Sequence, residues 1–432
     1  MNLFAVTGNP VLHSKSPILF DAAYPSHADD FAYFRLAAQS AEEAMLLFDE
    51  LGLSGINITS PFKSDVARLA DLRSPEVQAL NASNTLTLEN GKKCSYNTDI
   101  FGVSGSFESA GVSPAGKRCL VLGAGGAGGA AAYALHLAGG VVTVANRTVD
   151  KARRLADSIG CRYADLNEIA AIAPQADIIV NTLYQHVDIV DEAWIKPQHV
   201  VFDAIYHGSK LREKAQRAGC KFIDGSGWLL HQGVPAYRRF TGVEPDVDSM
   251  KKAALTQKLP VHISLIGFMG AGKSAVAPLL ADLLGMPAVD VDATLEARCG
   301  ASIPQLIAQK GEAYFREQER IVLEEALAAA TPTVISCGGG AAAQPLLGQR
   351  LKERSIVVWI YASPKCCISR ISADTRPLLA QHGDPLQAAA ELFEKRKFLY
   401  AKAAWMLVSS ADRSAEQVSR FIYDEISKAL HG

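Results

Sequence analysis

The chain has almost no imbalance of charge. Its 43 Lys and Arg stand against 45 Asp and Glu, a net charge of −2. With no basic excess, nothing in the composition points to nucleic acid or to an anionic membrane surface as a partner. No apolar run reaches the length that a bilayer-spanning helix needs. The eight cysteines are scattered with no Cys-x-x-Cys spacing, and Cys366 and Cys367 are simply adjacent. That pattern fits free thiols in a reducing compartment and argues against a disulfide framework or a zinc site. There is no low-complexity segment and no internal repeat. The first apolar run, Leu3-Phe-Ala-Val6, has no charged leader-type segment ahead of it, so the cytoplasm is the expected location. A length of 432 residues gives room for two to four domains, each with its own core.

What the chain does have is two glycine-rich loops of different kinds. Gly123-Ala-Gly125-Gly126-Ala-Gly128 follows the apolar run Cys119–Leu122 and precedes an alanine-rich helical stretch, Ala130–Ala138. Gly267-Phe-Met-Gly270-Ala-Gly272-Lys273-Ser274 follows Val261–Ile266. The first has the spacing of a dinucleotide loop, the second that of a nucleoside-triphosphate loop. G-x-G-x-x-G alone also serves plain turns; here the strand before and the helix after supply its context. The eight-residue loop is the sharper signal, because its spacing, Lys273 and Ser274 are all specified. About 20 residues past the first loop an acid suits the ribose of NAD and a base suits the phosphate of NADP. This chain has Asn146-Arg147-Thr148 there, with Lys151 and Arg153 nearby and no carboxylate at that edge, which favours NADP over a merely solvated turn.

Apolar runs alternate with helical stretches almost throughout, predicting α/β architecture built on parallel strands. Strands are expected at Gly55–Thr59, Cys119–Leu122, Val141–Ala145, Asp177–Asn181, Val200–Asp203 and Lys221–Ile223, then at Val261–Ile266, Thr333–Ser336, Ile356–Tyr361 and Trp405–Val408. A turn-rich stretch at 242–249 and a helix-like Met250–Gln257 precede the second loop. A phosphate-loop strand opens its domain, so a boundary is expected near 257–260.

Polar clusters sit at strand ends in the first half: Gly8-Asn-Pro-Val-Leu-His-Ser14-Lys-Ser16-Pro17, Asn57-Ile-Thr59-Ser-Pro-Phe-Lys63, Asn81-Ala-Ser-Asn84-Thr85 and Asn97-Thr98-Asp99 with Gly102. Asp203-Ala-Ile-Tyr206 and Gly227-Trp-Leu-Leu-His-Gln232 follow further on. Singly these are ordinary caps and turns. Together, and in this order around the dinucleotide loop, they resemble the shikimate dehydrogenase family over residues 1 to about 257. The resemblance implies that Ser14 and Ser16 bind the substrate carboxylate and that Thr59, Asn84, Asp99 and Gln232 hold its hydroxyls. It also places Tyr206 at the substrate and Gly227 at the cofactor, and makes Lys63 with Asp99 the catalytic pair. The chemistry needs such a pair, since hydride reaching a ketone builds charge on oxygen that a nearby acid must protonate. A carboxylate beside a lysine orients it for that work. Departures from the family pattern include Leu183 for a Thr, Gly208 for a Pro and Trp228 for a Met; Leu183 and Trp228 fall near the expected nicotinamide position.

In the second half, Asp290 and Asp292 end a short strand. Phe315-Arg316, the run Gly338-Gly339-Gly340, Arg376 and Arg396 then follow. With the phosphate loop, this set resembles shikimate kinase over residues 260 to about 430. The resemblance implies that Gly267, Gly270, Gly272 and Lys273 hold the ATP phosphates, while Ser274 and Asp290 serve Mg2+. Asp292 faces the acceptor hydroxyl as a base. Arg316 and Arg396 clamp the shikimate carboxylate, a task suited to a planar fork. Glycines 338 to 340 admit substrate to the backbone, Arg370 lies beside the adenine, and Arg376 closes with a lid at about 370–385.

The expected architecture is an N-terminal α/β substrate domain (1–102 with about 225–257), a Rossmann NADP domain (103–224) and a P-loop kinase-like α/β domain with a parallel sheet (258–432). The expected function is bifunctional: NADPH-dependent reduction of 3-dehydroshikimate, then ATP- and Mg2+-dependent phosphorylation of shikimate. The partners are small molecules. Rival readings are a quinate/shikimate dehydrogenase fused to another small-acid kinase, a second half that only senses nucleotide, or an NADP-sensing binding protein.

Overall fold

The computed structural model describes all residues except 24–29, 184–186, 206–208, 255–258, 372–383 and 432. Tyr206, Gly208, Arg376, most of the expected lid and part of the expected boundary segment therefore lie outside the described residues. The chain forms two compact units, Met1–Pro17 with Ser26–Leu53 and Gln257–Gly432, and Ile18–Pro25 with Ser54–Thr256.

The first unit holds β1 (Asn2–Gly8), β2 (Phe31–Ala37), β13 (His262–Ile266), β14 (Ala288–Asp290), β15 (Val334–Ser336), β16 (Ser355–Tyr361) and β17 (Met406–Ser409). They run in the order β14-β15-β13-β16-β17-β2-β1. Every pairing among them is parallel. The apolar runs explain this, because parallel strands are covered on both faces and need no alternation. Every residue of β2 and of β16 is buried. Strand β2 lies directly against β17, with Arg35 opposite Met406, Leu36 opposite Leu407 and Ala37 opposite Val408. Trp359 of β16 sits at the centre of an aromatic core with Phe34, Tyr361, Phe393 and Tyr400. Beside that joint, Arg413 and Glu43 form a mostly buried ion pair at 2.7 Å.

The second unit holds two groups of strands. The larger contains β7 (Arg118–Leu122), β8 (Val141–Asn146), β9 (Arg162–Asp165), β10 (Ile178–Asn181), β11 (Val200–Asp203) and β12 (Lys221–Asp224). All are parallel, in the order β12-β11-β10-β7-β8-β9. The order reverses between β7 and β10, and the carboxyl ends there make the crevice in which such sheets bind ligands. Ala130, Ala131 and Ala132 of helix Gly126–Leu137 are buried in the same core as Val121, Val144 and Val180. Their small side chains let the helix approach the sheet closely.

The smaller group, β3 (Gly55–Ile58), β5 (Thr85–Glu89), β6 (Lys92–Tyr96) and β4 (Leu72–Arg73), runs in the order β3-β5-β6-β4. Here the structure departs from the expected parallel pattern, because β5 pairs antiparallel with both β3 and β6. The β5–β6 turn is Asn90-Gly91, with φ of 51° and 75°, the pair of left-handed residues that a tight hairpin requires. Helix Gly225–Thr241 packs on helix Asp99–Ser109. A Cβ on Gly102 would fall 2.3 Å from Trp228 Cδ1, so only glycine permits this approach. Among the described residues, no helix is long and apolar enough to cross a membrane.

Candidate active sites

Two helix N-termini hold the first cluster. Lys63 begins helix Lys63–Leu69 and Asp99 begins helix Asp99–Ser109. The Lys63 ammonium lies 2.6 Å from Asp99 Oδ2, with side chains 16% and 8% exposed. The other carboxylate oxygen, Oδ1, accepts the indole N–H of Trp228 at 3.1 Å. Asp99 is thus held from both sides in a site that water barely reaches. Next to it, Asn84 Nδ2 donates to Gln232 Oε1 at 3.2 Å and to Thr98 Oγ1 at 3.0 Å. Asn84 Oδ1 in turn accepts the Thr98 backbone N–H at 2.7 Å. Thr59 is half-buried at the end of β3, its carbonyl accepting from the Phe62 N–H. Ser14 and Ser16 belong to the first unit, where their hydroxyl oxygens lie 3.4 Å apart.

The dinucleotide loop meets this cluster. A Cβ on Gly126 would come within 2.9 Å of Lys63 Cδ, and one on Gly128 would collide with the Gly123 carbonyl. Gly125 caps helix Gly126–Leu137 without offering a side-chain acceptor, so the first N–H groups of that helix are left for an anion. Asn146 Oδ1 accepts the Ala124 N–H at 3.2 Å, tying the β8 end to the loop. Arg147 and Thr148 are exposed, and Thr148 makes no capping bond with its side chain. An exposed arginine beside a helix N-terminus that has no side-chain cap suits a dinucleotide that carries an extra phosphate. Gly227 lies in the first turn of helix Gly225–Thr241, against Ser106.

The second cluster belongs wholly to the first unit. Lys273, 9% exposed, curls over its own loop and donates to the Gly267 and Phe268 carbonyls at 3.0 and 3.1 Å. Gly272 caps helix Lys273–Leu284 at φ 100°, again with no side-chain acceptor. A Cβ on Gly270 would fall 2.4 Å from the Cys367 carbonyl oxygen. Ser274 Oγ lies 3.5 Å from Ser336 Oγ, and Asp290 caps the next helix through the Ala293 N–H at 3.0 Å. One hydroxyl and one carboxylate suit Mg2+, which keeps waters and phosphate oxygens as its other ligands.

Around the three glycines the side chains converge. A Cβ on Gly340 would fall 2.5 Å from Arg316 Nη1; one on Gly338 would fall 2.3 Å from Glu319 Oε1 and 2.8 Å from Asp292 Oδ1. Arg396 Nη1 donates to the Gly339 carbonyl at 3.1 Å, and the Tyr400 hydroxyl donates to the same oxygen. Arg370 donates to the Ser410 carbonyl at 2.7 Å, and Ser410 Oγ donates to Ala271 O at 2.8 Å, which sets Arg370 behind the phosphate loop.

Three residues here carry more than their sequence motifs suggested. Glu319, wholly buried, holds Arg316 Nη1 at 2.9 Å while Arg316 Nη2 reaches Glu312 at 3.1 Å. Burial pushes the Glu319 carboxyl up, against the pull of Arg316. Its three-residue spacing from Arg316 on a helix was the available signal. Thr98 joins the Asn84–Gln232 network, and Trp228 reaches Asp99 across 129 residues of sequence.

A dinucleotide loop beside a lysine–carboxylate pair, and a phosphate loop facing clustered arginines, define an oxidoreductase joined to a P-loop phosphotransferase. Comparison with known proteins gives the families. Residues 6–86, 108–202 and 225–255 match the family models of the shikimate dehydrogenase substrate binding domain, shikimate/quinate 5-dehydrogenase and the shikimate 5'-dehydrogenase C-terminal domain. Residues 269–427 match shikimate kinase. A shikimate dehydrogenase (NADP(+)) of Methanothrix thermoacetophila is 33% identical over 261 residues, covering 59% of this chain and 96% of that protein. That of Natronomonas pharaonis is 36% identical over 263 residues, covering 59% and 98%. The solved shikimate 5-dehydrogenase of Thermus thermophilus, in complex with NADP(H) and shikimate, is 32% identical with a TM-score of 0.54, covering 59% and 98%. Quinate dehydrogenase from Corynebacterium glutamicum, in complex with NAD, is 31% identical with a TM-score of 0.54, covering 59% and 99%. The chain belongs to the shikimate dehydrogenase family and carries a shikimate kinase domain behind it.

Proposed function

We propose that residues 1–102 with 225–257 bind the substrate of an NADPH-dependent reduction of 3-dehydroshikimate to shikimate, and that residues 103–224 bind the cofactor. Residues 258–432 then phosphorylate the product from MgATP. The observation that supports this best is the placing of Lys63, whose stem lies against Gly126 of the dinucleotide loop while its ammonium rests on Asp99. That arrangement supports Lys63 as the proton donor beside the arriving hydride.

Bound NADPH supplies the hydride, and Arg147 answers its extra phosphate. As the ketone carbon takes the hydride, its oxygen takes a proton from Lys63, and Asp99 keeps that ammonium aimed. Ser14 and Ser16 hold the substrate carboxylate; Thr59, Asn84 and Gln232 hold hydroxyls. In the kinase half MgATP supplies the phosphoryl group. Lys273 and the loop N–H groups gather its phosphates, Ser274 and Asp290 hold the metal, and Asp292 takes the proton of the acceptor hydroxyl. Arg316 and Arg396 bind the carboxylate, with Arg370 beside the nucleotide. The reductive direction is proposed because its product is the kinase's substrate.

A coupled assay on the whole chain tests this. Lys63→Ala should abolish NADPH consumption and leave phosphorylation of added shikimate intact; Lys273→Ala should do the reverse. A folded variant that loses both activities would refute two independent sites. The similar identity to a quinate dehydrogenase keeps a second reading in view. Quinate oxidation with NAD+ running faster than shikimate oxidation with NADP+ would select it.

A further inference from the structure

The loop that carries Ser14 and Ser16 is held by the kinase half of the chain. The backbone N–H groups of Val11 and Leu12 both donate to one carboxylate oxygen, Glu425 Oε2, at 2.8 and 3.0 Å. Glu425 lies on helix Ala415–His431, 414 residues from Val11. It is 1% exposed, and Val11 and Leu12 are fully buried. The turn closes when the Ser14 N–H donates to the Val11 carbonyl at 2.9 Å.

A second support comes from the other side. Arg35 of β2 donates through Nε and Nη2 to the Ser14 carbonyl at 2.9 and 2.6 Å. Its Nη1 donates to the Trp405 carbonyl at 3.2 Å, just before β17. Arginine's planar fork meets the two carbonyls through three separate nitrogens in fixed directions, a geometry that the single nitrogen of a lysine does not reproduce. Both supports converge on the backbone between Val11 and Ser14.

We propose that the kinase half positions the serine loop of the reductase half, Glu425 directly and Trp405 through Arg35, and so sets the reductase's affinity for the substrate carboxylate. The proposal rests on the reading that Ser14 and Ser16 bind that carboxylate. Two buried N–H groups deprived of their acceptor pull the loop toward water or another partner. Both hydroxyls then shift. The interaction lost is made equally in ground and transition states, so KM rises and kcat holds. Glu425 and Arg35 are positioning residues, since neither touches the reacting atoms.

The test uses the full chain with shikimate and NADP+ as substrates. Glu425→Ala should raise the KM for shikimate about tenfold, with kcat and the KM for NADP+ within about twofold of wild type. Glu425→Gln, whose amide oxygen accepts the same two bonds, should restore the wild-type KM. Arg35→Lys should raise KM in the same selective way, and it decides the matter if Glu425→Ala does not fold. Ser14→Ala/Ser16→Ala is the control for the underlying reading. If it raises KM while Glu425→Ala and Arg35→Lys do not, the positioning role is wrong and the serine reading stands. If it leaves KM unchanged, the serine reading falls, and this proposal with it. Glu425→Gln behaving like Glu425→Ala, or a loss of kcat together with both KM values, would also overturn the proposal.

Discussion

Asp99 is the residue on which the proposed dehydrogenase site turns, because its two oxygens are used differently. One meets Lys63, the other the Trp228 indole. A methionine, usual at that position in the family pattern, could donate nothing there. Hydrogen bonds to charged groups contribute about 1.5–3 kcal/mol each. Trp228→Phe keeps an aromatic ring beside Phe202 and removes the donor together with part of the buried indole. We expect kcat for the NADP-linked reaction to fall about tenfold, or about 1.4 kcal/mol. KM values and the kinase rate should be unchanged. An unaltered kcat would show that Lys63 alone orients Asp99. The sequence marked Trp228 as a departure near the nicotinamide, but a partner 129 residues away is a product of folding and leaves no local trace.

At the scale of elements, helix Glu312–Leu327 shows how one buried acid organises a site. Burial raises the Glu319 carboxyl above its usual value of 4.5. The stability linked to that proton is therefore complete below pH 4.5 and lost as pH rises through the raised value. Glu319→Gln stays neutral throughout. Its urea midpoint, relative to wild type, should increase between about pH 4 and pH 8; a flat or falling difference would contradict the assignment. The elements themselves were unevenly legible. Parallel strands such as β11 and β16 are buried over nearly all of their length and mostly apolar, and the sequence places them to within a residue. Strand β2 escaped because Arg35 interrupts its apolar run, and that arginine is buried only because its fork finds the Ser14 and Trp405 carbonyls. The β5–β6 hairpin escaped although Asn90-Gly91 announces it; β5 is buried over only its first three residues, so it lacks a strong apolar run. Of the candidate sites, the two glycine loops were readable from spacing and the roles of the charged residues were implied by family resemblance, whereas Glu319's hold on Arg316 and Trp228's on Asp99 depend on tertiary packing.

For the whole molecule, the pairing of β2 with β17 makes an N-terminal strand part of the kinase sheet. The Glu43–Arg413 pair and the Phe34–Trp359 contact reinforce the same joint. Heating should therefore inactivate the dehydrogenase and kinase activities with one midpoint, and Glu43→Ala should lower both together. Two well-separated midpoints in activity assays would refute this. The same joint also bears on how the chain is made. Arg35 and Trp405 are 370 residues apart, and ribosomes add roughly 5–20 residues per second. For roughly 20–70 s of each synthesis, β2 has left the ribosome and its neighbour does not yet exist. Throughout that interval a buried-type strand waits with one edge open, and shielding it falls to whatever meets the nascent chain.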